Sequence, residues 1–340
     1  MIIQEPGFIT PQVLFLGSRN ICMYLVMGEQ HAMVGGGVAW EVSRLESQLD
    51  HYRVDREKIR YLVVSHAHYD HCGAVPYIMK KYPHIQIVAS ACAAHIMNKP
   101  QAIEMMRSVN RQTLNALKRP HSVDDIPLDF QQIPVAHPVG DGDHLDLGGL
   151  TLRFFQTPGH SRCSLTAYIP ELGMFFPADS VPFPDEERQD LTVSANHDYD
   201  DYLTSLEKLE PLAIRMVAYE HGGVLTGKDA GSIIPRSLEA TRKQRERIRN
   251  RYEELQDLGL LVEEIAGKYH ALPLFQLVPF DTLRAIIGRM VRSALGLLEP
   301  FDLRRADHLK SDAYSDKCKC GAHRDGGIPV VQERDHPSGQ

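Results

Sequence analysis

The sequence predicts a layered α/β protein with its sheets inside and helices packed outside. Three observations predict it. Helical and strand patterns alternate through the first half of the 340 residues; from Gln131 to Asp179 strands follow one another; beyond about Gly227 the chain turns helical. The composition supports a full core, since hydrophobic residues make up 43% and charged residues 24%, an ordinary globular balance that excludes a disordered chain.

Taken in order, "QVLFLG", "CMYLVMG" and "HAMVGGG" are short apolar or alternating runs broken by glycine, a strand-and-turn signature, and "EVSRLESQLDHY" reads as a helix. "IRYLVVS" is β-branched and apolar throughout, so it reads as a buried strand that ends directly at a histidine cluster. A short helix from Gly73 to Lys81, a strand at "IQIVAS" and a longer helix from Gln101 to Lys118 follow. Then come the β-rich runs "QQIPVAHPV", "DHLDLGG", "LTLRFFQT", "SLTAYIP" and "GMFFPADS", with Gly and Pro between them. Near the C-terminus, Leu283, Ile286, Ile287, Met290, Val291, Ala294, Leu295 and Leu298 recur at helical spacing, with Asp281 or Thr282 as the expected N-cap.

Charge and cysteine usage narrow the class. The formal charge of -7 gives no overall pull toward nucleic acid or an anionic membrane. The opening "MIIQEPGFIT" has neither a basic nor an apolar leader segment, and no run approaches the roughly 18 apolar residues of a spanning helix. The expected location is cytoplasmic, with no membrane partner. Cys22, Cys72, Cys92, Cys163, Cys318 and Cys320 are too scattered for a disulfide framework, so reduced thiols are expected.

The chemistry is concentrated in "SHAHYDHCG", which packs His66, His68, Asp70 and His71 into one strand end and the turn after it. On an extended strand end, residues i and i+2 project to one side, so His66 and His68 can approach one ion. Imidazole and carboxylate donors suit zinc, iron or manganese, and a carboxylate can bridge two ions. Three further settings repeat the pattern of a ligand after an apolar strand: His160 in "FFQTPGHS", Asp179 in "MFFPADS" and His221 in "MVAYEHGG". A lone histidine is more often a surface or satisfied core residue; the set carries the reading.

This ordered series resembles the metallo-β-lactamase superfamily over about residues 10 to 226. The resemblance implies a four-layer αββα sandwich with its site along one edge of the two sheets. It implies that His66, His68 and His160 hold one metal, that Asp70, His71 and His221 hold a second, and that Asp179 bridges them. The cofactors it implies are two divalent ions, zinc first, with iron or manganese also suited. Within the superfamily, "HYDHCGAVPYI", "SVNRQTLNALKR", "DYLTSLEKLEPL" and "EHGGVLTG" look like the thioesterase-like quinolone signal response branch, which has a helical C-terminal extension. Two departures stand out: "VGGGVA" has no Asp in the early glycine turn, which implies looser support of the ligands, and Ala178 stands where Gly often precedes the bridging Asp, which tightens the space there.

The domains expected are a catalytic domain over 1–226, a helical cap over 227–305 and a tail over 306–340. The function expected is hydrolysis of a small ester or thioester, acyl-CoA-like, by a metal-bridging hydroxide, with Asp70 orienting it or taking its proton. Tyr69, His197 and Tyr199 are candidate acids, although Tyr69 reads more simply as packing beside the site and His197 as lying near a helix N-terminus. The alternatives are a regulatory, partner-binding protein with a largely structural metal site, a phosphodiesterase or RNA hydrolase, and iron-dependent redox chemistry on the same scaffold. "RKQRERIRNR" from Arg242 to Arg251 carries six basic residues and one acid; it reads as a solvated helix face buried through Leu238, Ile248, Tyr252 and Leu255. With the helix from Leu283 to Leu298 it is expected to cap the cleft or to form a homodimer surface. Cys318, Cys320 and His323 make a weak soft-metal motif in the tail.

Overall fold

The structure is a computed structural model and describes residues 1–185, 190–272, 275 and 278–298. In chain order it begins with strands β1 (Ile2–Ile3), β2 (Gly7–Thr10), β3 (Val13–Gly17), β4 (Cys22–Met27) and β5 (His31–Val34), then helix α1 (Val42–His51) and β6 (Ile59–Val64). Next come α2 (Tyr69–Cys72), α3 (Val75–Lys81), β7 (Gln86–Ser90), α4 (Ala91–Met97), α5 (Pro100–Ala116), the small hairpin β8 (Ser122–Val123) and β9 (Ile126–Pro127), and β10 (His137–Val139). The second half runs β11 (His144–Asp146), β12 (Thr151–Gln156), β13 (Leu165–Ile169), β14 (Met174–Phe176), a hairpin of β15 (Phe183–Asp185) and β16 (Asp190–Thr192), α6 (Tyr199–Leu209), β17 (Met216–Ala218) and β18 (Val224–Thr226). Helices α7 (Lys228–Gly231), α8 (Ile233–Leu255), α9 (Leu258–His270) and α10 (Phe280–Leu295) complete it.

Two seven-stranded sheets form, in the orders β10-β7-β6-β5-β4-β3-β2 and β1-β18-β17-β14-β13-β12-β11. Strand alternation explains why they stack. In β3, Val13 and Phe15 face the other sheet while Leu14 and Leu16 face helices; in β6, Tyr61 and Val63 divide from Leu62 and Val64 in the same way. Both faces of each strand are therefore buried, which is why these runs read as nearly continuous apolar sequence. Between the sheets Phe15, Tyr24, Phe154 and Phe176 pack in one layer; α1 and α3 to α5 cover the outer face of the first sheet, and α6 with α8 to α10 the outer face of the second. The mixed αββα architecture agrees with the expected fold class, and the C-terminal helices are present.

Some boundaries differ from expectation. Only His137–Val139 of "QQIPVAHPV" is a strand, paired in parallel with Val88 to Ser90 of β7. Helix α4 has no counterpart among the expected elements; the Ser90 side chain starts it by accepting from the Ala93 amide at 3.1 Å. Helix α10 begins with Pro279 as N-cap and Asp281 in its first turn, and it stops at Gly296, whose φ of 71° ends the helical repeat before Leu298. On α8, Leu238 and Ile248 are buried as expected, whereas Tyr252 and Leu255 are half-buried at the cluster's margin. No disulfide occurs among the described cysteines, and no helix among the described residues is long and apolar enough to cross a membrane. The tail motif of Cys318, Cys320 and His323 lies outside the described residues.

Candidate metal centre

All seven expected ligands meet at one edge of the two sheets, because each follows the end of a strand. β6 delivers His66 and His68 and turns into α2 with Asp70 and His71; the β12–β13 turn carries His160; Asp179 follows β14; His221 follows β17. The loop after β5 supports this edge. Gly36 donates its amide to the His71 carbonyl at 3.0 Å, and a Cβ there would sit 2.5 Å from that oxygen, so only glycine permits the approach.

Donor atoms fall into three groups, each within 4.8 Å: His66, His68 and His160; His66, His71 and Asp179; and Asp70, His71 and His221. In the first, His68 Nδ1 lies 3.0 Å from His66 Nε2 and 3.1 Å from His160 Nε2. In the third, His221 Nε2 lies 3.3 Å from Asp70 Oδ2 and 3.2 Å from His71 Nε2. Asp179 stands between the two, its Oδ2 3.2 Å from His160 Nε2 and 3.3 Å from His71 Nε2. His66, His71, His160, Asp179 and His221 are buried, Asp70 is partly buried, and His68 is the exposed member.

The outer ring nitrogens are held by the protein. His160 Nδ1 donates to the Ser194 carbonyl at 2.9 Å and His221 Nδ1 to the Asn20 carbonyl at 2.6 Å, which leaves each Nε2 lone pair facing the centre. His71 Nδ1 contacts Glu220 Oε2 at 2.7 Å, a buried carboxylate that the sequence reading did not single out. Its only signal there was position, immediately before His221 at the end of an apolar strand. A Cβ on Gly35 would lie 3.2 Å from the same Oε2, so Glu220 fills the space at the glycine turn. The looser support expected from "VGGGVA" therefore does not arise at His71. Ala178 adopts φ 47°, a left-handed conformation that costs an L-residue about 1–2 kcal/mol and that glycine adopts freely.

Electrostatics fit a cation. Burial opposes ionisation of Asp179, but His71 and His160 beside it reverse the balance and hold its carboxyl well below the usual range. Burial likewise opposes charge on His71, yet Asp179, Asp70 and Glu220 raise it well above its ordinary value, so these acids favour positive charge at that position. His66, buried first and then crowded by His71 and His68, is held well below its ordinary value and is neutral. The buried Oδ1 of Asp179 has no hydrogen-bond partner, an expensive arrangement for a carboxylate that a bound cation would relieve. The donor set of nitrogen and oxygen, and this orphaned oxygen, fit two divalent ions.

The expected acids are otherwise engaged. Tyr69 donates to Asn110 and packs on Trp40 and Phe130; Tyr199 is buried and donates to Gln244. His197 precedes Asp198, the N-cap of α6, and accepts from Arg162.

Two facing sheets with outer helices, and an edge cluster of five histidines and two aspartates in overlapping triads, define a protein class built around a metal-ligand centre. The sequence model of the metallo-beta-lactamase superfamily matches residues 19–221, well over half the chain, and the chain belongs to that superfamily. Over 214 residues, 61% of this chain and 74% of its relative, it is 24% identical to a metallo-beta-lactamase fold-containing protein of Sulfurisphaera tokodaii. It is 27% identical to a nitric oxide reductase of Moorella thermoacetica, a likeness covering 62% of this chain and 50% of that protein. Among solved structures, a metallo-beta-lactamase family protein of Thermus thermophilus superposes with a TM-score of 0.58 at 17% identity, over 85% of this chain and 94% of that one.

Proposed function

We propose that the chain is a dinuclear metal-dependent hydrolase of a small ester or thioester, with His66, His68, Asp70, His71, His160, Asp179 and His221 as ligands. The observation that carries this reading is the position of Asp179 between two triads, its Oδ2 within 3.3 Å of a histidine from each. When bound, two cations would polarise a substrate carbonyl and supply a nucleophile at neutral pH. Zinc suits the three-imidazole triad, and iron or manganese suits the whole set.

The chain's own residues supply geometry and proton handling. Backbone carbonyls of Ser194 and Asn20 fix two imidazoles, Glu220 fixes a third, and Asp179 holds the triads together. Asp70, half-buried with its Oδ2 3.5 Å from His71 Nε2, can orient an attacking water and take its proton. Because the hydroxyls of Tyr69 and Tyr199 are committed elsewhere, the site favours a leaving group that departs without protonation. A thiolate, with a parent pKa of about 8.5, does so; an amine does not. This favours the thioesterase-like reading.

The test is metal analysis of the purified protein together with a panel of acyl-thioester, aryl ester, lactone and phosphodiester substrates. About two metals per chain and turnover of the first two classes are expected, with both lost in Asp179→Asn. Fewer than one metal per chain, or no turnover of either class, overturns the reading. The likeness to a nitric oxide reductase supports a second reading, iron-dependent redox chemistry; iron content with nitric oxide or oxygen consumption and no hydrolysis would establish it.

A further inference from the structure

The described thiols fall into two kinds. Cys22 and Cys72 are buried and donate to the Arg19 and His68 carbonyls at 3.5 and 3.2 Å, and burial raises both above the ordinary thiol value, which makes them unreactive. Cys163 sits among donors instead. Its sulfur accepts from the Ala67 amide at 3.3 Å and lies 3.4 Å from Ser161 Oγ. The Cys92 thiol donates to the same sulfur, and that bond, joined by Ser161 and Ala67 against the opposing effect of burial, holds Cys163 below its ordinary value.

The two cysteines are far apart in the chain and meet because the end of β7 abuts the β12–β13 turn. Ser90, the last residue of β7, donates through Oγ to the Cys163 carbonyl at 2.8 Å and also accepts from the Ala93 amide at 3.1 Å, so the first turn of α4, with Cys92 in it, is fixed against that turn. Cys163 is buried and Cys92 half-buried, which lets a small oxidant reach the pair from the Cys92 side. Ala67 lies between His66 and His68, and Cys163 follows His160 by three residues. The Cys163 sulfur therefore joins the two backbone segments that carry all three imidazoles of one triad.

We propose that Cys92 and Cys163 are a redox-modification site, at which a peroxide converts the two thiols to a disulfide that loosens the His66, His68 and His160 triad. The Cys163 thiolate attacks one peroxide oxygen and breaks the O–O bond; a sulfenic acid forms, and the other oxygen leaves as water with the proton that Cys163 gave up. The Cys92 thiol then attacks the oxidised sulfur, forming the S–S bond and breaking the S–O bond, and its proton leaves with the hydroxyl as a second water. Two electrons pass from the sulfurs to the peroxide. A covalent bond brings the sulfurs closer than a hydrogen bond does, so it draws the Cys163 sulfur from the Ala67 amide and leaves a buried N–H between two ligands without its partner. The disulfide half of this inference stands on the thiol contact; the loosening half rests on the reading of that triad as metal ligands.

Hydrogen peroxide treatment of the zinc-loaded full chain, followed by peptide mass mapping, tests the first half. A reducible Cys92–Cys163 crosslink is expected in the native protein and none in Cys163→Ser, and the mapping separates it from any bond made by Cys318 and Cys320. In Cys92→Ser, which lacks the second thiol, dimedone should label Cys163 and leave Cys22 and Cys72 unlabelled. Absence of the crosslink, or dimedone spread equally over the buried cysteines, overturns the site. Zinc titration of the oxidised and reduced forms tests the second half: an about tenfold weaker affinity at one of two sites is expected, restored by dithiothreitol and absent in Cys92→Ser. Unchanged affinity in fully crosslinked protein overturns the loosening. A chain that forms the crosslink but binds no metal in either form would remove the dinuclear reading and leave the redox site standing.

Discussion

Glu220 places a carboxylate 2.7 Å from His71 Nδ1 in a nearly sealed environment, where it selects the ring's orientation and raises its basicity toward the centre. Glu220→Gln keeps the volume but removes the charge. The expected result is an about 10- to 100-fold weaker affinity at the Asp70, His71 and His221 triad. The His66, His68 and His160 triad should keep its ion. Metal titration would then show one site weakened relative to the native protein and the other unchanged, and equal weakening of both would count against the assignment. The seven candidate ligands were legible as residues because histidine and aspartate after apolar strands are costly unless used. Glu220 was not, since an acid beside a candidate ligand reads equally well as a solvated turn residue until its burial is seen.

At the scale of elements, the start of α6 is a junction between the ligand loop and α10. His197 sits there with Arg162 and Arg289 donating toward it, and burial followed by these two guanidiniums lowers its pKa to about 4. Since the folded value lies below the unfolded value of about 6.5, the unfolded chain binds more protons in between. The contribution of His197 to stability is therefore complete above about pH 6.5 and is lost as pH falls toward 4. Urea unfolding at several pH values should show a shallower acid-side decline in His197→Gln than in the native protein; an unchanged slope would mean that the imidazole is not held neutral. Element types were largely legible, as in β6, where "IRYLVV" is apolar on both faces. α4 was not, because its apolar stripe is short and its start depends on a cap contact from Ser90.

For the whole molecule, the C-terminal helices are joined to the site by a hydrogen-bonded chain rather than by the core alone. Tyr269 of α9 donates to the Val193 carbonyl at 2.6 Å and accepts from Gln244 of α8 at 2.6 Å; the next residue, Ser194, holds His160. Tyr269→Phe leaves the buried Val193 carbonyl without this partner and should cost about 1–3 kcal/mol of unfolding free energy. It should also weaken metal binding at the His160 triad more than at the other. Denaturant titration and metal titration on one preparation check both, and a stability loss with no change in metal affinity would show that the helices support the fold without supporting the site.

By itself the sequence determined the layered α/β class and the seven candidate ligand residues at the strand ends, because periodicity and the cost of burying polar groups act locally and leave a local trace. Only the tertiary structure decided that Glu220 enters the space beside Gly35, that Tyr69 and Tyr199 are engaged elsewhere, and that Arg162 meets Arg289 across 127 residues of chain. Those pairings depend on which surfaces the sheets and helices bring together, and no residue's neighbours along the chain encode that.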